Sequence, residues 1–281
     1  MKNEQMHQSK DNKSIPVTSV SSGKGRAVSE DIYYYTDQIV NFILYGSSKE
    51  KDRVLIDTGM PNSSSVVLSA VKERFGENRK PSAILLTHGH FDHVGGVVEL
   101  IKEWNVPVYA HPLEFPYLTG EKSYPAPDPT VDGGLLAKVS FMYPIEPINI
   151  KGVLKPLPTD HSVPGMAGWQ WIHTPGHSPG HVSFYRQKDK FLIAGDAFVT
   201  VRQDSLYKVI TQKAEVNGPP RYLTIDWKAA WDSVKKLEAL HPQVVITGHG
   251  TTMEGNELTN GLEKLVQEFD SIAIPEHGKY I

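Results

Sequence analysis

Five apolar runs in this chain stop in the same way. "VLID" ends at Asp57, "ILLT" leads to His88, "WIHTPG" leads to His177, "FLIAGD" ends at Asp196 and "VVITG" leads to His249. Each run is rich in apolar residues that favour strands and gives way to Gly, Thr or Pro. A ligand-type side chain then follows within three residues. Neighbouring strands pointing the same way would deliver these side chains to one edge of a sheet, and loops on a rigid scaffold are where sites form. One cluster assembled from distant segments is the expectation.

The stretches between these runs supply the rest of an α/β pattern. "IYYYT" and "VNFILYG" read as strands ahead of "RVLIDTG". "PNSSSVVLSAVKERFG" has helical spacing at Val67, Val71 and Phe75, opened by serines and closed by Gly76. "VGGVVELIKEW", "DWKAAWDSVKKLEALHP" and "NELTNGLEKLVQEF" read as helices, and "VPVYAH" and "HVSFYRQ" as strands. Residues 112–167 break the alternation with prolines and aromatics, and are expected to be an insertion forming a lid or an oligomer contact. Residues 199–225 read as loop-rich. The polar stretch 1–28 reads as a flexible N-terminal arm, leaving 29–281 as one domain.

"HGHFDH" places His88, His90, Asp92 and His93 within six positions. In an extended turn, His88, His90 and Asp92 alternate onto one side while His93 turns to another, and Gly89 permits the tight path. Adding His177, Asp196 and His249 makes five histidines and two aspartates. That exceeds one tetrahedral zinc and suits two metals sharing a carboxylate, each with an open position. Cysteine is absent, which excludes disulfides, thiolate ligands and a cysteine nucleophile. The net charge of −3 and the lack of a basic stretch give no reason to expect nucleic acid as a partner. No apolar run is long enough to cross a bilayer and the N-terminus lacks a signal-peptide core, so no membrane partner and a cytoplasmic location are expected.

Taken together, the HxHxDH run, the "TPGHSPGH" histidine, the strand-end Gly-Asp and the late "GHG" resemble the metallo-β-lactamase fold superfamily over roughly residues 30–270. The resemblance implies a four-layer αββα sandwich with the site at one edge of its two sheets. It implies one metal held by His88, His90 and His177, a second by Asp92, His93 and His249, and Asp196 bridging them. Asp57 would stand behind the ligands and orient their loop. An aspartate at 196, where true β-lactamases carry cysteine or serine, is similar to the lactonase and glyoxalase-II-like branch. The acyl-homoserine-lactone lactonases carry a tyrosine three residues after the bridging aspartate; here that position is Val199, preceded by Phe198. Glyoxalase II binds substrate through a C-terminal helical domain, for which this chain has no room.

The functional expectation is a hydrolase holding two zinc ions, with manganese, iron or cobalt as alternatives. A bridging hydroxide would attack the carbonyl of a small ester or lactone, ahead of a thioester or amide. Asp92 and Asp196 are the expected catalytic carboxylates, Asp92 passing a proton to the leaving oxygen. The alternatives are a mononuclear iron dioxygenase similar to the persulfide dioxygenases, a phosphodiesterase and a β-lactamase. His181 and His173 are expected to bond behind the His177 turn, and His111 and His161 to be surface histidines. Phe115, Tyr117, Tyr124, Phe141, Met142 and Tyr143 read as residues buried under the insertion, or as a pocket lining or homodimer contact. Arg202 and Tyr207 follow Asp196 closely enough to reach the site.

Overall fold

A computed structural model of the chain describes residues 6–13, 15, 17–131, 134–203 and 206–281. Of the expected arm, residues 1–5, 14 and 16 lie outside the described residues. Strands β1 (Lys24–Ala27), β2 (Ile32–Asp37), β3 (Val40–Tyr45), β4 (Val54–Ile56), β5 (Ala83–Leu85), β6 (Val108–Ala110) and β7 (Leu154–Pro156) form a seven-stranded sheet in chain order. It is antiparallel from β1 to β4 and parallel from β4 to β7. The later strands are β8 (Trp169–His173), β9 (Val182–Arg186), β10 (Phe191–Gly195), β11 (Val199–Val201), β12 (Ala214–Asn217), β13 (Val244–Thr247) and β14 (Met253–Glu254). Five of them form a second sheet in the order β14-β13-β10-β9-β8, while β11 and β12 pair separately.

The helices are α1 (Ser64–Phe75), α2 (Val97–Trp104), α3 (Phe115–Leu118), α4 (Gly134–Val139), α5 (Leu206–Thr211), α6 (Trp227–Glu238), α7 (Gly255–Gln267) and α8 (Phe269–Ile272). In α6, Trp227, Ala230, Val234 and Leu237 are buried, the spacing of one helical face. Asp226 caps its first turn by accepting from the Ala229 amide at 2.8 Å.

Alternation along the strands explains the layering. In β4, Leu55 faces a core shared with Val67 and Phe75 of α1 and Ile101 of α2. Its neighbours Val54 and Ile56 face a second core with Trp169, Phe184 and Ile193 of the other sheet. Leu192 and Val245 turn to a third core built with Val234 of α6, Leu262 of α7 and Phe269 of α8. Strands with both faces covered by apolar layers read as near-continuous hydrophobic runs. The result is the expected four-layer αββα sandwich. Each large side chain fully removed from water in these cores contributes about 1.5–3 kcal/mol relative to exposure.

Three segments differ from expectation. Lys24–Ala27, placed in a flexible arm, pair with Tyr33–Thr36 as an edge strand. Ahead of them, His7 and Asn149 exchange backbone hydrogen bonds of 3.1 and 2.9 Å, and the Gln8 amide donates to Gly95 O at 2.9 Å. This part of the stretch is thus tied to the body of the fold by its backbone and by the Gln8 side chain. Within 112–167, β7 extends the first sheet and Leu118, Ile148 and Ile150 join its outer core, so part of this segment is structural. The loop-rich stretch 199–225 contains the β11–β12 pair and α5.

Candidate metal centre

Parallel pairing sets where the site lies. β4 and β5 run together in the first sheet, β10 and β13 in the second. β8 runs antiparallel to β9, and β9 to β10, so β8 and β10 share a direction. The ends of these five strands carry Asp57, His88, His177, Asp196 and His249. The loop after β5 adds His90, Asp92 and His93.

All seven expected ligands meet there. Their donor atoms group as His88–His90–His177, His88–His93–Asp196 and Asp92–His93–His249, each set within 4.8 Å and every residue buried. His90 Nδ1 lies 2.9 Å from His177 Nε2. Asp196 Oδ2 lies 3.5 Å from His177 Nε2, 3.6 Å from His93 Nε2 and 3.3 Å from His249 Nε2, so it stands between the outer two groups. His249 Nε2 is 3.3 Å from Asp92 Oδ2.

The opposite ring nitrogens are held from behind. His93 Nδ1 bonds Asp57 Oδ2 at 2.8 Å and His249 Nδ1 donates to Ile39 O at 2.9 Å. His88 Nδ1 meets Thr87 Oγ1 at 3.0 Å, and His177 Nδ1 meets Thr224 Oγ1 at 3.2 Å. Such partners fix the orientation of a ligating imidazole. Asp57 also accepts from the Thr87 amide at 2.8 Å, which places it behind the ligand loop as expected. His181 Nε2 accepts from the Asp196 amide at 2.8 Å, and His173 Nε2 bonds Pro179 O at 2.9 Å.

The inward atoms test whether metal fits. His88 Nε2, His93 Nε2, Asp92 Oδ1 and Asp196 Oδ1 are buried without a hydrogen-bond partner. Orphaned buried polar atoms of this kind are rare and destabilising unless another group completes them. Imidazole nitrogens and carboxylate oxygens converging on one space suit divalent cations. Gly248 keeps that space open, because a Cβ there would lie 2.0 Å from Asp196 Oδ1.

Electrostatics divides the histidines into two groups. Burial holds His88 and His177 well below the ordinary imidazole value, and takes His90 down to about 4 and His181 to about 3. These rings are neutral, the form that binds metal. Burial also opposes charge on His249, but Asp196 and Asp92 push it up to about 10. His93 is raised well above its usual value against burial by Asp196, Asp92 and Asp57. Burial in turn disfavours ionised Asp92 and Asp196, yet His93 and His249 hold both below the carboxylate range.

A narrow cleft leads to Asp92 and His249, walled by Ile15, Ile39, Met60, Phe91, Tyr143 and Tyr222. The Tyr143 and Tyr222 hydroxyls are hydrogen-bonded, and burial, followed by the charge on Asp92, raises the Tyr143 phenol. Tyr143 and Tyr124 are buried, whereas Phe141 is 67% and Met142 58% exposed. Val199 is buried within β11. Tyr207 is exposed, and Arg202 lines a separate cleft with Gln203 and Arg221. The sequence did not point to Asn41, whose side chain donates to Thr247 O at 2.9 Å and Gly250 O at 2.7 Å and ties the first sheet to the His249 turn. A lone Asn in "IVNFILYG" was the available signal.

The family model described as the metallo-beta-lactamase superfamily matches residues 35–249. The chain belongs to the metallo-β-lactamase superfamily. Probable metallo-hydrolase YflN of Bacillus subtilis (strain 168) is 43% identical to this superfamily member over 259 residues, 92% of the chain and 98% of YflN. A hydroxyacylglutathione hydrolase of Pectobacterium carotovorum is 28% identical over 224 residues, covering 79% of the chain and 66% of that protein. Among solved structures, TTHA1623, crystallised in a di-iron-bound form, is 30% identical over 76% of the chain and 89% of its own, with a TM-score of 0.51. The chain is thus a metallo-hydrolase of this superfamily, with a buried His/Asp cluster suited to metal.

Proposed function

We propose that the protein is a binuclear, zinc-dependent hydrolase of small esters or lactones. His88, His90 and His177 would hold one cation, Asp92, His93 and His249 the other, and Asp196 both. The observation that carries this reading is the position of Asp196 Oδ2, 3.5 Å from a nitrogen of the first triad and 3.3 Å from one of the second. When bound, the cations supply an activated water and an electrophile for the substrate carbonyl.

The chain's own residues do the rest. Ile15, Ile39, Met60 and Phe91 offer an apolar wall for a compact acyl group and exclude bulk water. Tyr143, which lines the same pocket as Asp92, would donate to the substrate's carbonyl oxygen in place of the phenol that Val199 lacks. Asp92 lines the same pocket and would take a proton and pass it to the leaving oxygen. No side-chain nucleophile is required.

The test is turnover of lactones, esters, thioesters and a chromogenic β-lactam by protein of measured metal content. The Pectobacterium relative makes thioesters the second class to try, and TTHA1623 makes iron the metal to compare with zinc. Asp196→Ala is expected to bind at most one metal per chain. Its turnover should fall by more than the 10–100-fold typical of an outer-sphere change. Two metals and full rate in that variant would refute the shared ligand.

A further inference from the structure

Glu114 is fully buried at the end of a short helical turn, Pro112–Glu114. Its Oε1 accepts from Ser178 Oγ at 2.9 Å and from the Gly180 amide at 2.7 Å. Its Oε2 accepts from the Gly89 amide at 2.9 Å and from the Tyr124 hydroxyl. Gly89 stands between His88 and His90, while Ser178 follows His177. One carboxylate therefore spans the two loops that carry the first histidine triad, loops whose His90 and His177 are 87 positions apart in the chain.

The surroundings are shaped for it. A Cβ on Gly89 would lie 2.6 Å from Tyr124 Oη, and one on Gly180 would lie 2.8 Å from the Glu114 backbone nitrogen. Gly89 thus supplies room for this contact, not only the tight path expected of it. The Tyr124 ring packs on His90 with centroids 4.3 Å apart. The four bonds come from backbone amides and hydroxyls, none from a cationic side chain, and they offset only part of the burial that raises this acid. An apolar side chain would fill this space but leave four buried donors without an acceptor. What an apolar side chain does not provide is a fixed distance between the His88–His90 loop and the His177 loop.

We propose that Glu114 is a positioning residue that buckles these two loops and preforms the His88–His90–His177 triad for its cation. This rests on the metal-centre reading above. It also assigns the opening turn of the 112–167 segment a task at the back of the site, distinct from a lid.

Glu114→Gln tests it. Glutamine keeps the shape but has one acceptor oxygen, so one loop must present its donors to an NH2 group. In competition with a chelator, metal affinity should fall about 10–100-fold, and the visible spectrum of the cobalt-substituted protein should change. Melting of the metal-free variant should stay within a few degrees of the parent protein. Ser178→Ala removes one donor from one loop and should weaken binding less; it carries the test if Glu114→Gln does not fold. Unchanged affinity and spectrum in the folded Gln variant, or unchanged affinity in Ser178→Ala where Gln fails to fold, would overturn the proposal alone. Failure of the parent protein to take up any divalent metal would overturn the metal-centre reading and this inference with it.

Discussion

Asp92 and Asp196 face five imidazole rings in a space nearly closed to water. Without a cation, protons on His93 and His249 offset the charge of these carboxylates and of Asp57, which is why both rings are raised while His88, His90 and His177 are lowered. A cation must displace those protons. His249 titrates at about 10, so near neutral pH its proton is present and must leave. Metal uptake at pH 7.5 should therefore release about two protons per chain. Affinity should fall as pH falls from 9 to 6. Calorimetry in buffers of different ionisation enthalpy counts the protons, and a count near zero would contradict the charge pairing. A second expectation concerns Tyr143. Tyr143→Phe should retain both metals yet lose about tenfold in kcat/KM, the ~1.4 kcal/mol scale of one hydrogen bond. Steady-state kinetics on the best ester or lactone checks this; an unchanged kcat/KM removes Tyr143 from the reaction.

At the scale of elements, the long strands and helices were legible because their side chains repeat with the backbone. β3 alternates between two cores, and α6 shows one buried face. β7 and β12 were not legible. They are short and carry Lys, Pro, Glu or Asn, so they lack an apolar period. The described residues of 6–23 likewise lack an apolar period. Among them, the Asp11 carboxylate accepts from the Ile145 amide at 2.9 Å, and Ile15 reaches the pocket wall. Through Ile15 this segment would bear on substrate choice. Deleting residues 1–17 should leave metal content unchanged and raise KM for short-chain esters several-fold, with relative gain for longer acyl chains. A series of p-nitrophenyl esters measures the shift, and an unaltered chain-length profile would show that Ile15 does not contribute.

For the whole molecule, the centre is a seam. The first sheet and its loops supply Asp57, His88, His90, Asp92 and His93; the second supplies His177, Asp196 and His249. Cations held by both halves would cross-link the sandwich and bind the folded state alone. At a metal concentration 100 times the Kd, this linkage amounts to about 2.7 kcal/mol. Given about 2–4 °C per kcal/mol for proteins approaching this size, stripping the metal should lower Tm by roughly 5–10 °C. Scanning calorimetry with and without chelator tests this, and identical melting would mean that the cluster does not join the sheets through metal.

The sequence by itself determined the candidate ligands and the scaffold behind them. Strand and helix periods follow from backbone geometry, and "HGHFDH", "TPGH", "GD" and "GHG" mark where strands deliver donor atoms. Only the tertiary structure decided which side chains stand around those donors. Glu114, Tyr143 and Ile15 come to the centre from segments far away in the chain where no period relates neighbours in sequence to neighbours in space, and Asn41 comes from β3, whose alternation does not mark a polar residue as a tether. Their roles arise when two sheets, an insertion and an N-terminal strap pack together.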